Sequence, residues 1–231
     1  MQTTQRYKYR LKIIFYSTLV ALTACNKPIS KYVAPGTFST PEARRQLFEE
    51  LGVTYISEPQ FTKHPSLAQI RPEDYSGYKG NKQEHQKLTE QYGSQIAQQY
   101  MAPVSIQYIS EEVGYGLYAN EDIKAGDFIG EYAGRVVQGG VKDTTWSWSY
   151  PINANANSTL AGNVYSMDSK KYGNELRFVN DDEGHNLVVK FVFQGSCWHI
   201  IYVAKKDIAK GEQLLISYGD SYWKSRKRVD L

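Results

Sequence analysis

The sequence predicts an α+β protein, mainly β, with a short helical region ahead of the strands. From residue 104 onward the chain breaks into short apolar or alternating runs separated by glycine turns, which is a strand pattern. Upstream, two stretches carry helical apolar spacing instead. Tyrosine is over-used, with 19 copies against 8 phenylalanines, which favours strands and polar-tipped packing over an aliphatic helical bundle. A chain of 231 residues has room for one sizeable core with appendages.

The formal net charge of +3 is misleading. Arg6, Lys8, Arg10 and Lys12 lie in the first 24 positions with no acid among them, so the rest of the chain is close to neutral. No nucleic-acid partner is expected from that balance. The same four residues precede Ile13 to Ala24, an apolar run of 12 that is too short to span a bilayer comfortably. A charged start followed by a short apolar run reads as an export signal. Leu22-Thr23-Ala24-Cys25 then resembles the lipobox of bacterial lipoproteins. That resemblance implies removal of residues 1–24, lipidation of Cys25, and a membrane anchor in the bacterial cell envelope, at the periplasm or outer membrane. An ordinary signal and an uncleaved anchor remain open. Cys197 is then the only free thiol, and no intramolecular disulfide is expected.

Residues 25–38 hold Pro28, Pro35 and Gly36 and read as a tether. The helical region covers 39–103. Ser39 as cap with Glu42 three residues on starts a helix that runs to Leu51 and stops at Gly52. Residues 57 to 80, rich in proline and glycine, read as loop. Leu88, Tyr92, Ile96 and Tyr100 form the apolar stripe of a second helix that Pro103 ends.

Strands follow at Val104 to Ile109, Phe128 to Tyr132 and Val164 to Asp168, with a turn at Lys124 to Asp127. Gly114-Tyr115-Gly116-Leu117-Tyr118-Ala119 lets the backbone approach something closely, yet it lacks the third glycine and following helix of a dinucleotide fingerprint. Residues 138 to 163 show no clear periodicity and read as a variable insert. From Asn174 to Asn186, an apolar stretch ending at Val179 reads as a buried strand that breaks into a polar turn suited to binding. The last strand closes at Tyr218 and Gly219.

Taken in order, these pieces resemble the SET-domain protein lysine methyltransferases. That family's pattern runs G-x-G-L-x-A, then E-Y-x-G, then D-A-x-x-x-G-N-x-x-R-F-x-N-H-S-C-x-P-N, then G-E-E-L-x-x-D-Y-G. Here Gly114 to Ala119, then Glu131 to Gly134, hold the first two parts. Asp168, Gly173, Asn174, Arg177, Phe178, Asn180 and Asn186 hold the third, and Gly211, Glu212, Leu214, Tyr218 and Gly219 the fourth. The match covers 104–223, and 224–231 is a basic tail.

The resemblance implies several small β-sheets with a C-terminal pseudoknot-like crossing. It also implies methyl transfer from S-adenosylmethionine to a lysine of a protein substrate, histone-like or other, through a channel open at both ends. It assigns the catalytic role to Tyr218 and cofactor binding to Val113, Gly114, Tyr115, Gly116, Trp148, Asn180 and Asp181 together with Tyr218. Tyr165, Ile216, Tyr222 and Trp223 are expected to line the channel, and a monomer is expected.

Several positions depart from the pattern. Asp181, Asp182 and Glu183 stand where the family has histidine, serine and cysteine, and His185 stands for the proline. A metal site at these four residues is the alternative reading. Ser217 replaces an aspartate, and no cysteine follows Tyr218 to build a zinc cluster. The cofactor is made in the cytosol, whereas the N-terminus directs the chain out of it. Either the chain reaches another cytosol by delivery into a host cell, or it is a weak or inactive lipid-anchored binding module.

Overall fold

The computed structural model describes residues 35–62, 70–152, 164–224 and 226–228. The signal segment 1–24, Cys25 and most of the tether lie outside the described residues.

Strand β1 (Thr37–Phe38) leads into helix α1 (Pro41–Glu50). Thr40, not Ser39, is the cap: its Oγ1 accepts from the Ala43 backbone N–H at 3.2 Å. Pro41 is the reason, because proline suits the first helical position and so fixes the cap one residue earlier. Leu47 and Phe48 are its buried face, and Gly52, with φ of 67°, lets the chain turn away. Arg44 ties the helix to the body of the protein. Its Nε pairs with the buried Glu175 carboxylate at 2.9 Å, while Nη1 donates to the Val104 carbonyl at 2.8 Å.

The stretch expected to be loop holds β2 (Thr54–Tyr55), β3 (Gln60–Phe61) and a short helix, α2 (Ser76–Gly80). Helix α3 (Lys82–Ala97) buries Leu88, Tyr92 and Ile96. The stripe ends there. Tyr100 is 43% exposed, because Gln99 takes a positive φ of 52° and redirects the chain.

The remaining strands are β4 (Val104–Ser110), β5 (Gly114–Ala119), β6 (Phe128–Glu131), β7 (Arg135–Gln138), β8 (Ser147–Ser149), β9 (Tyr165–Asp168), β10 (Tyr172–Gly173), β11 (Asn180–Asp181), β12 (Leu187–Gln194), β13 (Cys197–Ala204) and β14 (Leu215–Ile216). Helix α4 (Asp220–Trp223) follows. They form five small sheets, ordered β1-β4-β5, β10-β2, β11-β14, β12-β13-β6 and β3-β7-β9-β8. Helix α3 packs Leu88, Tyr92 and Ile96 against Phe128, Val192, Ile201 and Val203 of the β12-β13-β6 sheet. The larger core centres on Trp198, Tyr165, Tyr202, Met167 and Leu176, all fully buried.

Where a buried strand was expected, residues Glu175–Phe178 form a 3-10 turn. Asn174 causes it: its side-chain oxygen accepts from the Leu176 N–H at 3.3 Å, while its amide donates to the Glu131 carbonyl at 2.6 Å. The expected insert contains β8, paired with β9.

Candidate functional site: a threaded crossing between two cavities

The polar turn and the last strand meet. Strands β11 and β14 pair in parallel, with Asn180 opposite Leu215 and Asp181 opposite Ile216. On its other side the C-terminal segment bonds to β5, since Leu214 N–H donates to the Leu117 carbonyl at 2.7 Å and Ala119 N–H to that of Glu212 at 2.9 Å. Residues 212–216 therefore thread between β5 and β11. Asn186, buried, fixes the crossing twice. Its amide donates to the Gln213 carbonyl at 2.8 Å and its oxygen accepts from Leu215 N–H at 2.9 Å. Asn180 closes the third side by donating to the Tyr115 carbonyl at 3.0 Å.

The crossing sets Tyr218. Its backbone N–H donates to Asp181 Oδ1 at 2.6 Å and its hydroxyl to the Val179 carbonyl at 2.7 Å. Tyr222 meets its ring edge-on at 4.8 Å and Trp223 lies parallel to it at 6.2 Å. Burial, then Tyr222, Tyr132 and Asp181, push the phenol well above its ordinary range. These effects favour the un-ionised hydroxyl, a group that can hold and orient a partner.

Two cavities lie against this tyrosine. The larger, about 850 Å³, is lined by Val113, Gly114, Tyr115, Asn180, Asp181, Tyr218, Tyr222 and Trp223, with Trp146 and Lys170 among others. The smaller, about 570 Å³, is lined by Tyr132, Trp148, Tyr202 and Val179 among others. Thr145, Arg177, Tyr218, Tyr222 and Arg226 belong to both walls. A group entering from each side would meet at Tyr218.

Most of the residues singled out in the sequence come together in the larger cavity. Gly114, with φ of 82°, has open space where a side chain would stand. Gly116 does not line either cavity. It is needed for packing, since a Cβ there would come within 2.6 Å of Gln213 and 2.8 Å of Ile109 across the crossing. Trp148 lines the smaller cavity, turned there by a 2.8 Å bond from its indole N–H to the Tyr202 hydroxyl. Tyr165 and Ile216 sit in the core, 1% and 2% exposed, and line neither cavity.

Arg177 is the residue that sequence reasoning left without a role. It is buried, donates to the Lys170 carbonyl at 3.3 Å, lies over Trp146 at 5.0 Å, and leaves its Nε unpartnered. Burial lowers it to about 10, with Tyr132 opposing, so it remains a fixed cation between the two cavities. An arginine inside the apolar run Leu176 to Val179 was the available signal.

The three acids each serve a different partner. Asp181 holds Tyr218, Asp182 accepts from Gly184 N–H at 2.6 Å, and Glu183 pairs with Arg228 at 2.6 Å. Among the described residues no group of three or more His, Cys, Asp or Glu is placed to hold a metal ion.

Residues 114–219 match the SET domain family. Among particular relatives, a histone-lysine N-methyltransferase EZH2 of Chaetomium thermophilum is 32% identical over 130 residues, covering 52% of this chain and 8% of that protein. The histone-lysine N-methyltransferase EHMT1 of Mus musculus is 31% identical over 120 residues, covering 50% of this chain and 9% of that protein. The chain thus spans under a tenth of the length of these two relatives. The crystal structure of ATXR5 in complex with histone H3.1 mono-methylated on R26 has the same fold, with a TM-score of 0.57 at 20% identity over 81% of this chain and 94% of that one.

Proposed function

We propose that the protein transfers a methyl group from S-adenosylmethionine to a lysine side chain of a protein substrate, histone-like or other. The observation that carries this is Tyr218 standing in the shared wall of two cavities, one large enough for a nucleoside-sized ligand and one narrower. The cofactor fits the larger cavity. Gly114 leaves its backbone open there, and both Arg177 Nε and the Trp223 indole N–H are buried without partners on that wall. Bound, it supplies an electrophilic methyl on a sulfonium.

The chain's residues do the rest. Val113, Gly114 and the Asn180 turn offer main-chain groups to the cofactor, and Trp223 and Tyr222 offer aromatic faces. A lysine entering past Tyr132 and Trp148 leaves water behind and approaches the fixed charge of Arg177. Both effects favour the neutral amine that can attack. The un-ionised Tyr218 oxygen, whose proton is committed to Val179, offers lone pairs to an amine N–H and aligns it.

Purified protein incubated with cofactor carrying a labelled methyl group, against histone and bacterial protein mixtures, should label lysine. Failure to bind S-adenosylmethionine by calorimetry would overturn the enzyme reading and leave a binding module. We also propose that Cys25 carries a lipid that anchors the protein in a bacterial envelope, supported by the order of charged start, apolar run and Leu22-Thr23-Ala24-Cys25. Labelled fatty acid should enter the wild type and not Cys25→Ala. Delivery into a host cell is the setting that brings the site to its cofactor, and fractionation of co-cultured cells tests it. Among the described residues no helix is long and apolar enough to cross a membrane.

A further inference from the structure

The β12–β13 hairpin carries a second group of reactive side chains, none of which lines either cavity. Gly195 and Ser196, with φ of 57° and 67°, make the tight two-residue turn that hairpins favour. Cys197 follows as the first residue of β13, half-buried beside two exposed turn residues. His199, two residues on and therefore on the same face of the strand, brings Nε2 to 3.2 Å from Cys197 Sγ. Its other nitrogen, Nδ1, donates to Glu131 Oε1 at 2.6 Å. The register that pairs Ile201 with Glu131 delivers that carboxylate from β6.

A thiol, an imidazole and a buried carboxylate in sequence are a nucleophile, a base and the group that orients the base. The Gln194 carbonyl lies 3.2 Å from Nε2 and 3.5 Å from Sγ, so it accepts from whichever atom carries the proton. Burial works against an imidazolium, but hydrogen bonds and charge from Cys197 and Glu131 outweigh it and lift His199 to about 10. Burial raises Glu131, and Glu58 adds to this while His199 opposes it. Tyr150, facing the pair from beyond β8, is buried and neutral, with its hydroxyl donated to the Trp198 carbonyl at 2.7 Å. The sulfur thus lies 3.2 Å from a ring nitrogen that is held in place from behind.

We propose that Cys197 is a nucleophilic thiol, oriented by His199 and Glu131, and a site of covalent modification by low-molecular-weight disulfides. The thiolate Sγ attacks one sulfur of R–S–S–R, a bond from Cys197 to that sulfur forms, and the original S–S bond breaks. The departing thiolate takes the Nε2 proton and leaves as R–SH, with His199 neutral. Cys197 is oxidised, the leaving half is reduced, and no other oxidant enters.

The test treats full-length protein with iodoacetamide, and separately with glutathione disulfide, from pH 5.5 to 9.5, following the Cys197 peptide by mass spectrometry so that Cys25 is read apart. At pH 6.5 Cys197 should react roughly tenfold faster than the same peptide in urea-unfolded protein. His199→Gln, checked for folding by circular dichroism, should drop to the unfolded rate. Glu131→Gln should fall between the two. The proposal is overturned if wild-type Cys197 reacts no faster than the unfolded chain at pH 6.5. It is equally overturned if folded His199→Gln reacts as the wild type does. The first arm uses no variant, so misfolding cannot mask it.

Discussion

Asp181→Ala removes the carboxylate that the acidic run contributes to the site. That group is 5% exposed and holds the Tyr218 N–H at 2.6 Å, with Arg228 Nε 3.9 Å from its other oxygen. A hydrogen bond to a charged acceptor contributes about 1.5–3 kcal/mol, and the truncation also leaves the Tyr218 N–H unpaired beside the cavity. Asp181→Asn keeps an acceptor there but gives up the charge, which roughly halves the bond. Urea unfolding followed by tryptophan fluorescence should therefore show a loss of about 2 kcal/mol for alanine and about 1 kcal/mol for asparagine. Tyr218 is positioned through the same N–H, so labelled methyl transfer should fall about 10- to 100-fold in the alanine variant and less in asparagine. If the alanine variant unfolds at the wild-type midpoint and transfers at the wild-type rate, Asp181 does not support Tyr218 and the reasoning is refuted.

Tyr218→Phe loses only the bond to the Val179 carbonyl, so stability should change by about 1 kcal/mol while transfer falls roughly 100-fold or more in a labelled-cofactor assay. Asn186→Ala breaks both side-chain bonds of the crossing and should cost about 2–4 kcal/mol in urea. His199 is raised from 6.5 to about 10 by folding, so its contribution is full below pH 6.5 and is lost as pH climbs towards 10. Urea midpoints should fall across that window, and His199→Gln should flatten the fall. Arg228→Ala removes an ion pair to the exposed Glu183 and should cost less than about 1 kcal/mol, in contrast to Asp181→Ala.

Where a residue's task is set by the backbone next to it, the sequence already shows it. Gly114, the Asn180 turn, the closing Tyr218 and the mainly-β architecture could be read from motif order and spacing, whereas Gly116 serves packing and lines neither cavity. What stayed hidden depends on partners far along the chain. Ile216 was expected on the channel wall, but pairing with Asp181 leaves it in the core. Trp148 reaches the smaller cavity through β8–β9 pairing and a bond to Tyr202, which no local pattern encodes. The acids at 181 to 183 look mutually repulsive in one dimension. In three, two of them answer Tyr218 and Arg228. Strand β12 carries no motif residue of its own, although Leu187 to Phe193 is rich in β-branched and aromatic residues.

The parallel pairing of β11 with β14 also has a consequence in time. A nascent chain that has emerged as far as β13 already holds most of its sheets, yet it has neither Tyr218 nor the strand that separates β5 from β11. Both cavities take part of their wall from Tyr218 and Tyr222, so neither is complete until those residues have been made and threaded. Such a late, long-range closure is slow compared with hairpin formation. Ribosome-stalled fragments ending before residue 212 should be structured but blind to S-adenosylmethionine, so that ligand binding itself reports completion of synthesis.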